Sequence, residues 1–133
     1  MKFTHDWHCV HGIFYNLVLV VAYRRSVLTE KIQKRCIEII RDLSPNFGIE
    51  ILEVNGEADH LHLLLKAKPH TALSKFVNSV KTVTSRYLKR EFPEIQEQLW
   101  TPKFWSRSYF VATTGGVPLD KVQAYIQQQR KWT

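Results

Sequence analysis

His60 and His62, separated only by Leu61, and Tyr125 and Gln129, four residues apart, are the side chains whose types and spacing hold chemistry. Residues two apart on a strand project to one face, about 7 Å apart along the chain, so both imidazoles can converge on one metal ion. A tyrosine and a glutamine four apart on a helix also share a face, only about 40° apart around the axis. A glutamine carbonyl is a neutral hard ligand suited to Mg²⁺ or Mn²⁺, and imidazole suits borderline metals. Three neutral ligands leave the ion's full charge to polarise a phosphate oxygen. Placed beside a phenol nucleophile, that set is equipment for breaking a phosphodiester. Tyrosine, with a reference pKa of about 10, is barely ionised at neutral pH, so it needs the metal or a base, and the sequence designates no base.

Plainer readings of these residues stand beside the chemical one. An H-x-H on a strand also occurs with both rings packed or hydrogen-bonded, and Tyr125 also reads as a helix residue packed beside Val122 and Ile126. Gln127 and Gln128 point elsewhere and read as solvated. His5, His8 and His11 surround Cys9 at a spacing that would align them on a helix. Their aromatic-rich surroundings read instead as an extended lead-in, with no metal role assigned. The two-histidine phosphoesterases need two H-x-[ST] motifs, and this chain has one histidine pair of a different form.

The elements that must position these residues follow from pattern. Residues 13–23 are β-branched and aromatic and predict a mostly buried central strand. Thr29 caps a helix in which Ile32, Cys36, Ile39 and Leu43 repeat, and Ser44-Pro45-Asn46 ends it. Residues 47–55 predict a second strand, Asn55-Gly56 a turn, and residues 60–66 a third strand antiparallel to the second. The histidine face of that third strand is expected opposite the helices. A second helix is expected over 71–91, with Leu73, Phe76/Val77, Val80, Val83/Thr84 and Tyr87/Leu88 in its apolar stripe and Lys75, Asn78, Lys81, Ser85 and Lys89 on a solvated, basic face. Phe92-Pro93 stops it. A loop through Trp100 leads to a fourth strand over 104–113, Gly115-Gly116 breaks the chain, and Pro118 opens a last helix to about Lys131.

The order β-α-β-β-α-β plus a helix is that of the ferredoxin-like, split βαβ fold: an α+β architecture with an antiparallel sheet and two helices on one face. That fold hosts many functions and decides none. RNA-recognition modules that share it put stacking aromatics on the central strands, whereas the third strand here carries histidines and leucines.

At 133 residues the chain reads as one domain, 1–133, able to bury a core without disulfides. Cys9 and Cys36 match no paired motif and read as reduced thiols. The longest apolar run, residues 17–22, is far too short for a bilayer, and the polar N-terminus does not resemble a signal peptide, so a soluble cytoplasmic protein with no membrane partner is expected. The net charge of +7 favours a polyanionic partner. Arg24, Arg25, Lys75, Lys81, Lys89 and Arg107 are candidates for phosphate contacts, although each also reads as an ordinary surface charge.

His60-Leu61-His62 resembles the HUH motif, two histidines around a bulky hydrophobe. The first strand leading into Ala22-Tyr23-Arg24-Arg25, the segment from Leu99-Trp100 through Phe104-Trp105-Ser106-Arg107-Ser108-Tyr109, and Tyr125-Ile126-x-x-Gln129 follow in matching order. Together they are similar to the single-tyrosine HUH transposases of the insertion-sequence 200/605 family. The resemblance covers nearly the whole chain. It implies His60, His62 and Gln129 as ligands of Mg²⁺ or Mn²⁺, and Tyr125 as the nucleophile that cuts single-stranded DNA through a 5′-phosphotyrosine link. It also implies homodimers acting on subterminal DNA hairpins at the element's ends, with a helix over about 117–131 exchanged between subunits. Gly115-Gly116 suits such a hinge or a plain tight turn. No second tyrosine stands one turn from Tyr125, unlike the paired-tyrosine replication enzymes. A domesticated relative acting on repeated palindromes would use the same residues. A non-catalytic nucleic-acid-binding module of the same fold is the reading from a different class.

Overall fold

Alternation along His60–Ala67 (β5) organises the molecule: Leu61, Leu63, Leu65 and Ala67 are buried, while His60, His62, Leu64 and Lys66 are half-buried on the other face. Each leucine withdrawn from water contributes roughly 1.5–3 kcal/mol, which gives the strand one orientation. The computed structural model describes residues 13–99 and 103–113, together with the backbone of a small antiparallel pair, Thr4–Asp6 (β1) and Cys9–His11 (β2).

Ile13–Val20 (β3), Glu50–Glu57 (β4), β5 and Phe110–Thr113 (β6) form one antiparallel sheet in the order β4-β5-β3-β6. The predicted first and third strands are therefore central, as the split βαβ order requires. Two helices cover the leucine face. Glu30–Leu43 (α1) starts where Thr29 Oγ1 accepts from the Ile32 amide at 3.4 Å, and it buries Ile32, Cys36, Ile39 and Ile40. Leu73–Glu91 (α2) buries Phe76, Val77, Val80, Thr84 and Leu88. These apolar stripes share one core with Leu61, Leu63 and Leu65. Among the described residues no helix is long and apolar enough to cross a membrane.

Several boundaries differ from expectation. Asn55-Gly56 is not the turn: β4 continues through it, Glu57 pairs with His60, and the chain reverses at Ala58-Asp59. The glycine serves a close approach instead. A Cβ at Gly56 would lie 2.6 Å from Leu61 Cδ2 and 2.8 Å from Gln33 Oε1. The second strand starts at Glu50 rather than 47, because residues 44–47 form a short 3₁₀ turn closed by Gly48 at φ 69°. The first strand stops at Val20, and Tyr23 and Arg24 then adopt left-handed backbone at φ 57° and 53°.

Glu94–Gln98 (α3) occupies part of the predicted loop. Only Phe110–Thr113 of the predicted fourth strand is a regular strand. The residues before it run past the end of β3 as an irregular segment, with the Ala22 amide donating to Phe104 O (2.9 Å) and the Ser106 amide to Val20 O (2.7 Å). Buried Trp105 explains the departure, since its indole N–H is drawn under α2 to Thr84 Oγ1 at 2.9 Å. The last predicted helix with Tyr125 and Gln129, the Gly115-Gly116 break, and the side chains of His5, His8 and His11 lie outside the described residues.

Candidate metal centre and basic groove

His60 and His62 share the sheet face opposite α1 and α2, where their direct partners on β3 are the buried Val20 and Val18. Each ring has one nitrogen committed. His60 Nδ1 is 2.8 Å from Asp59 Oδ1, and since an ionised carboxylate only accepts, the histidine donates. His62 Nε2 lies 3.0 Å from Asn16 Oδ1 and donates likewise. His60 Nε2 and His62 Nδ1 make no hydrogen bond to the described residues. Two imidazoles on one face, each fixed through its far nitrogen by an oxygen acceptor, have the make-up of metal ligands held by supporting hydrogen bonds.

The charges around the pair are balanced. Asp59 Oδ2 accepts from Arg24 Nε at 2.7 Å, so the carboxylate is shared between Arg24 and His60, and both ends of the ion pair are largely buried. Burial pulls the Asp59 carboxyl up, but the hydrogen bonds from His60 and Arg24 outweigh it and hold it below the usual carboxylate range. The left-handed turn at Tyr23 and Arg24 brings the guanidinium back to the β4–β5 turn, whose backbone is also tied to the residue just past β3 by the Val21 amide on Asp59 O (2.9 Å). Burial, then the neighbouring His60, lowers the affinity of His62 for a proton, against an opposing pull from Glu53. A neutral imidazole is the form that ligates metal.

Glu57, Asp59 and His60 also place ligand atoms within 4.8 Å of one another. Both Asp59 oxygens are already engaged, which suits that residue to orienting His60, while exposed Glu57 stands at the rim. Neither acid was singled out from sequence. The Asp59–Arg24 contact spans 35 residues, and no local pattern announces it.

The basic candidates separate. Arg24 is engaged by Asp59, Arg25 is half-buried in the same bend, and Lys75 is exposed near the start of α2. Lys81, Lys89 and Arg107 are brought together. With Arg86 and Lys103 they line a groove of about 490 Å³ between α2 and residues 103–107. The predicted solvated face of α2 is thus partly walled, which leaves Lys81 and Lys89 half-buried.

Comparison with known proteins supplies independent findings. Residues 9–129 match the family model described as IS200-like transposase. The chain is 32% identical over 120 residues to the ISDra2 transposase TnpA of Deinococcus radiodurans, covering 90% of this chain and 86% of that protein. It is 31% identical over 123 residues to the transposase for insertion sequence element IS200 of Salmonella typhimurium, covering 92% of this chain and 78% of that one. A crystal structure of a Deinococcus radiodurans R1 protein superposes with a TM-score of 0.86 at 28% identity, over 95% of this chain and 97% of that one. A REP-associated tyrosine transposase solved with a REP hairpin is alike in fold alone, with a TM-score of 0.59 at 11% identity, over 100% of this chain and 76% of that one.

Proposed function

The chain belongs to the IS200-like transposase family, and from that premise we propose that it cuts and rejoins single-stranded DNA at insertion-sequence ends through a covalent link to Tyr125. Family membership itself implies DNA strand transfer; the chemistry below is our reading. The Tyr125 phenol, on losing its proton, attacks the scissile phosphorus. The P–O3′ bond breaks, leaving a 5′-phosphotyrosine and a free 3′-OH. Attack by a 3′-OH on that link reverses the step and joins strands. One phosphoester replaces another each time, so no nucleotide triphosphate is consumed.

His60, His62 and Gln129 would hold Mg²⁺ or Mn²⁺. When bound, the cation supplies positive charge to the non-bridging phosphate oxygens. The observation that carries the reading is the pair of half-buried imidazoles on one sheet face, each with its far nitrogen held by Asp59 or Asn16. Asp59 and Asn16 orient these rings, and Arg24 keeps Asp59 ionised. Tyr125 and Gln129 enter through their four-residue spacing. We read the partner as a hairpin-bearing single strand, the assembly as a homodimer exchanging the helix over about 117–131, and the setting as the cytoplasm. A fold neighbour solved with a REP hairpin supports the hairpin. Arg24, Arg25, Lys75, Lys81, Lys89 and Arg107 are the proposed DNA contacts.

The test is incubation with a hairpin-bearing single strand and Mg²⁺ or Mn²⁺, read as a denaturant-resistant protein–DNA adduct. The adduct should form with the wild type and vanish in Tyr125→Phe, while His60→Ala abolishes cleavage and leaves hairpin binding largely intact. Tight binding with no adduct under either metal would make the chain a non-catalytic binding module.

A further inference from the structure

The groove between α2 and residues 103–107 has walls tied to each other. Lys81 Nζ donates to Arg107 O at 3.0 Å. Trp105 Nε1 donates to Thr84 Oγ1, whose hydroxyl donates to Val80 O at 2.6 Å. The cleft is therefore a fixed part of the fold. Arg86 and Arg107 are exposed along it, and Lys81 and Lys89 are half-buried. Burial pushes both ammonium groups down in pKa, with Lys103 adding to the effect on Lys81. No carboxylate stands among the described residues that line the groove.

We infer that this groove is a DNA contact separate from the metal centre, holding the phosphates of an unpaired strand that leads to the scissile bond. Its volume of about 490 Å³ suits a nucleotide-sized group rather than a duplex. Phe104 and Trp105 in its wall are buried, so they present no open ring face for base stacking, and the groove grips backbone without reading sequence. The wall is also joined through β3 to the strand that carries the histidine pair. The Ser106 amide bonds Val20 O at 2.7 Å, and Val20 is the direct cross-strand partner of His60. A strand seated there is held at a fixed offset from the histidine pair.

The inference rests on the transposase reading for the identity of the anion, and its test is kept apart from catalysis. Binding of the full chain to a labelled unpaired oligonucleotide and to a tailless hairpin is measured by anisotropy, in chelator, across a salt series. Arg86→Gln with Lys89→Gln should weaken the unpaired strand about tenfold or more and flatten its log–log salt slope by roughly 1.4, the loss of two single-strand phosphate contacts. Lys34→Gln with Lys68→Gln, exposed and elsewhere, should change affinity less than about twofold. Thermal melts matching the wild type exclude misfolding. An unchanged slope, an equal loss in the control pair, or a loss confined to the hairpin would overturn the assignment. If adducts form while the groove variant binds normally, the groove fails and the transposase reading stands. If the groove variant loses single-strand binding while the wild type gives no adduct, the groove stands and the catalytic reading fails.

Discussion

Asn16 Oδ1 lies 3.0 Å from His62 Nε2, although the residue directly paired with His62 on β3 is Val18. The contact is diagonal across the two central strands, and it fixes which nitrogen of His62 faces away. Removing it in Asn16→Ala should lower Mn²⁺ affinity roughly 10–100-fold, the usual effect of losing a ligand's supporting hydrogen bond. Calorimetric titration of Mn²⁺ into the DNA-free protein checks this, and Asn16→Asp should restore most of the affinity by restoring the acceptor. Wild-type affinity in Asn16→Ala would remove Asn16 from the site.

Asp59 gives a pH signature. Its folded-state pKa is depressed, so the native state holds fewer protons than the unfolded chain over the interval between the two values. The stability it contributes is fully present above the unfolded carboxylate value of about 3.9 and is lost as pH falls through the lower folded value. Asp59→Asn should therefore cost roughly 1.5–3 kcal/mol at neutral pH, with the difference from wild type closing in strong acid. Urea unfolding at a series of pH values measures it. A difference that widens toward acid would reverse the assignment.

Gly56→Ala should destabilise the fold by roughly 1–3 kcal/mol through overpacking. The new methyl meets Leu61 Cδ2 in the core and Gln33 Oε1, and Gln33 is itself anchored by its amide to Glu57 O at 3.1 Å. Chemical denaturation of the variant reads the cost directly. A neutral result would mean that α1 yields easily above β4.

The Cys36 thiol, fully buried on the inner face of α1, is pushed up to about 12 by burial. In a Cys9→Ser background, disulfide-exchange labelling at mildly alkaline pH should be slow and should follow the global unfolding rate as denaturant is raised. Rapid labelling of the native protein would expose a local opening beneath that helix.

Much of the scaffold could be read before any coordinates. The alternation His60-Leu61-His62-Leu63 carries a period of two that only a strand satisfies, and so it placed the imidazoles away from α1 and α2 correctly. Helix α1 was legible from Thr29 and its apolar spacing. Asn55-Gly56 reads as a turn in sequence, yet the glycine serves to relieve crowding under Gln33. Residues 104–109 look like strand by composition, but the pull of Trp105 toward Thr84 overrides propensity. Contacts such as Arg24–Asp59 and Asn16–His62 join residues 35 and 46 apart, and only the assembled sheet reveals them. The basic groove was invisible for the same reason, since its floor depends on where one segment crosses α2.

The alternating burial of β5 has a further consequence. Sliding that central strand by a single residue would drive both imidazoles into the oily interior and push three leucines outward. Misalignment is thereby penalised by the same solvent preference that folds the chain, so the two histidines are kept on their face of the sheet by the strand's own burial pattern. Length changes should accordingly be tolerated in the Ala58-Asp59 reversal far less than a distant loop would allow, because one added residue there shifts the whole ladder.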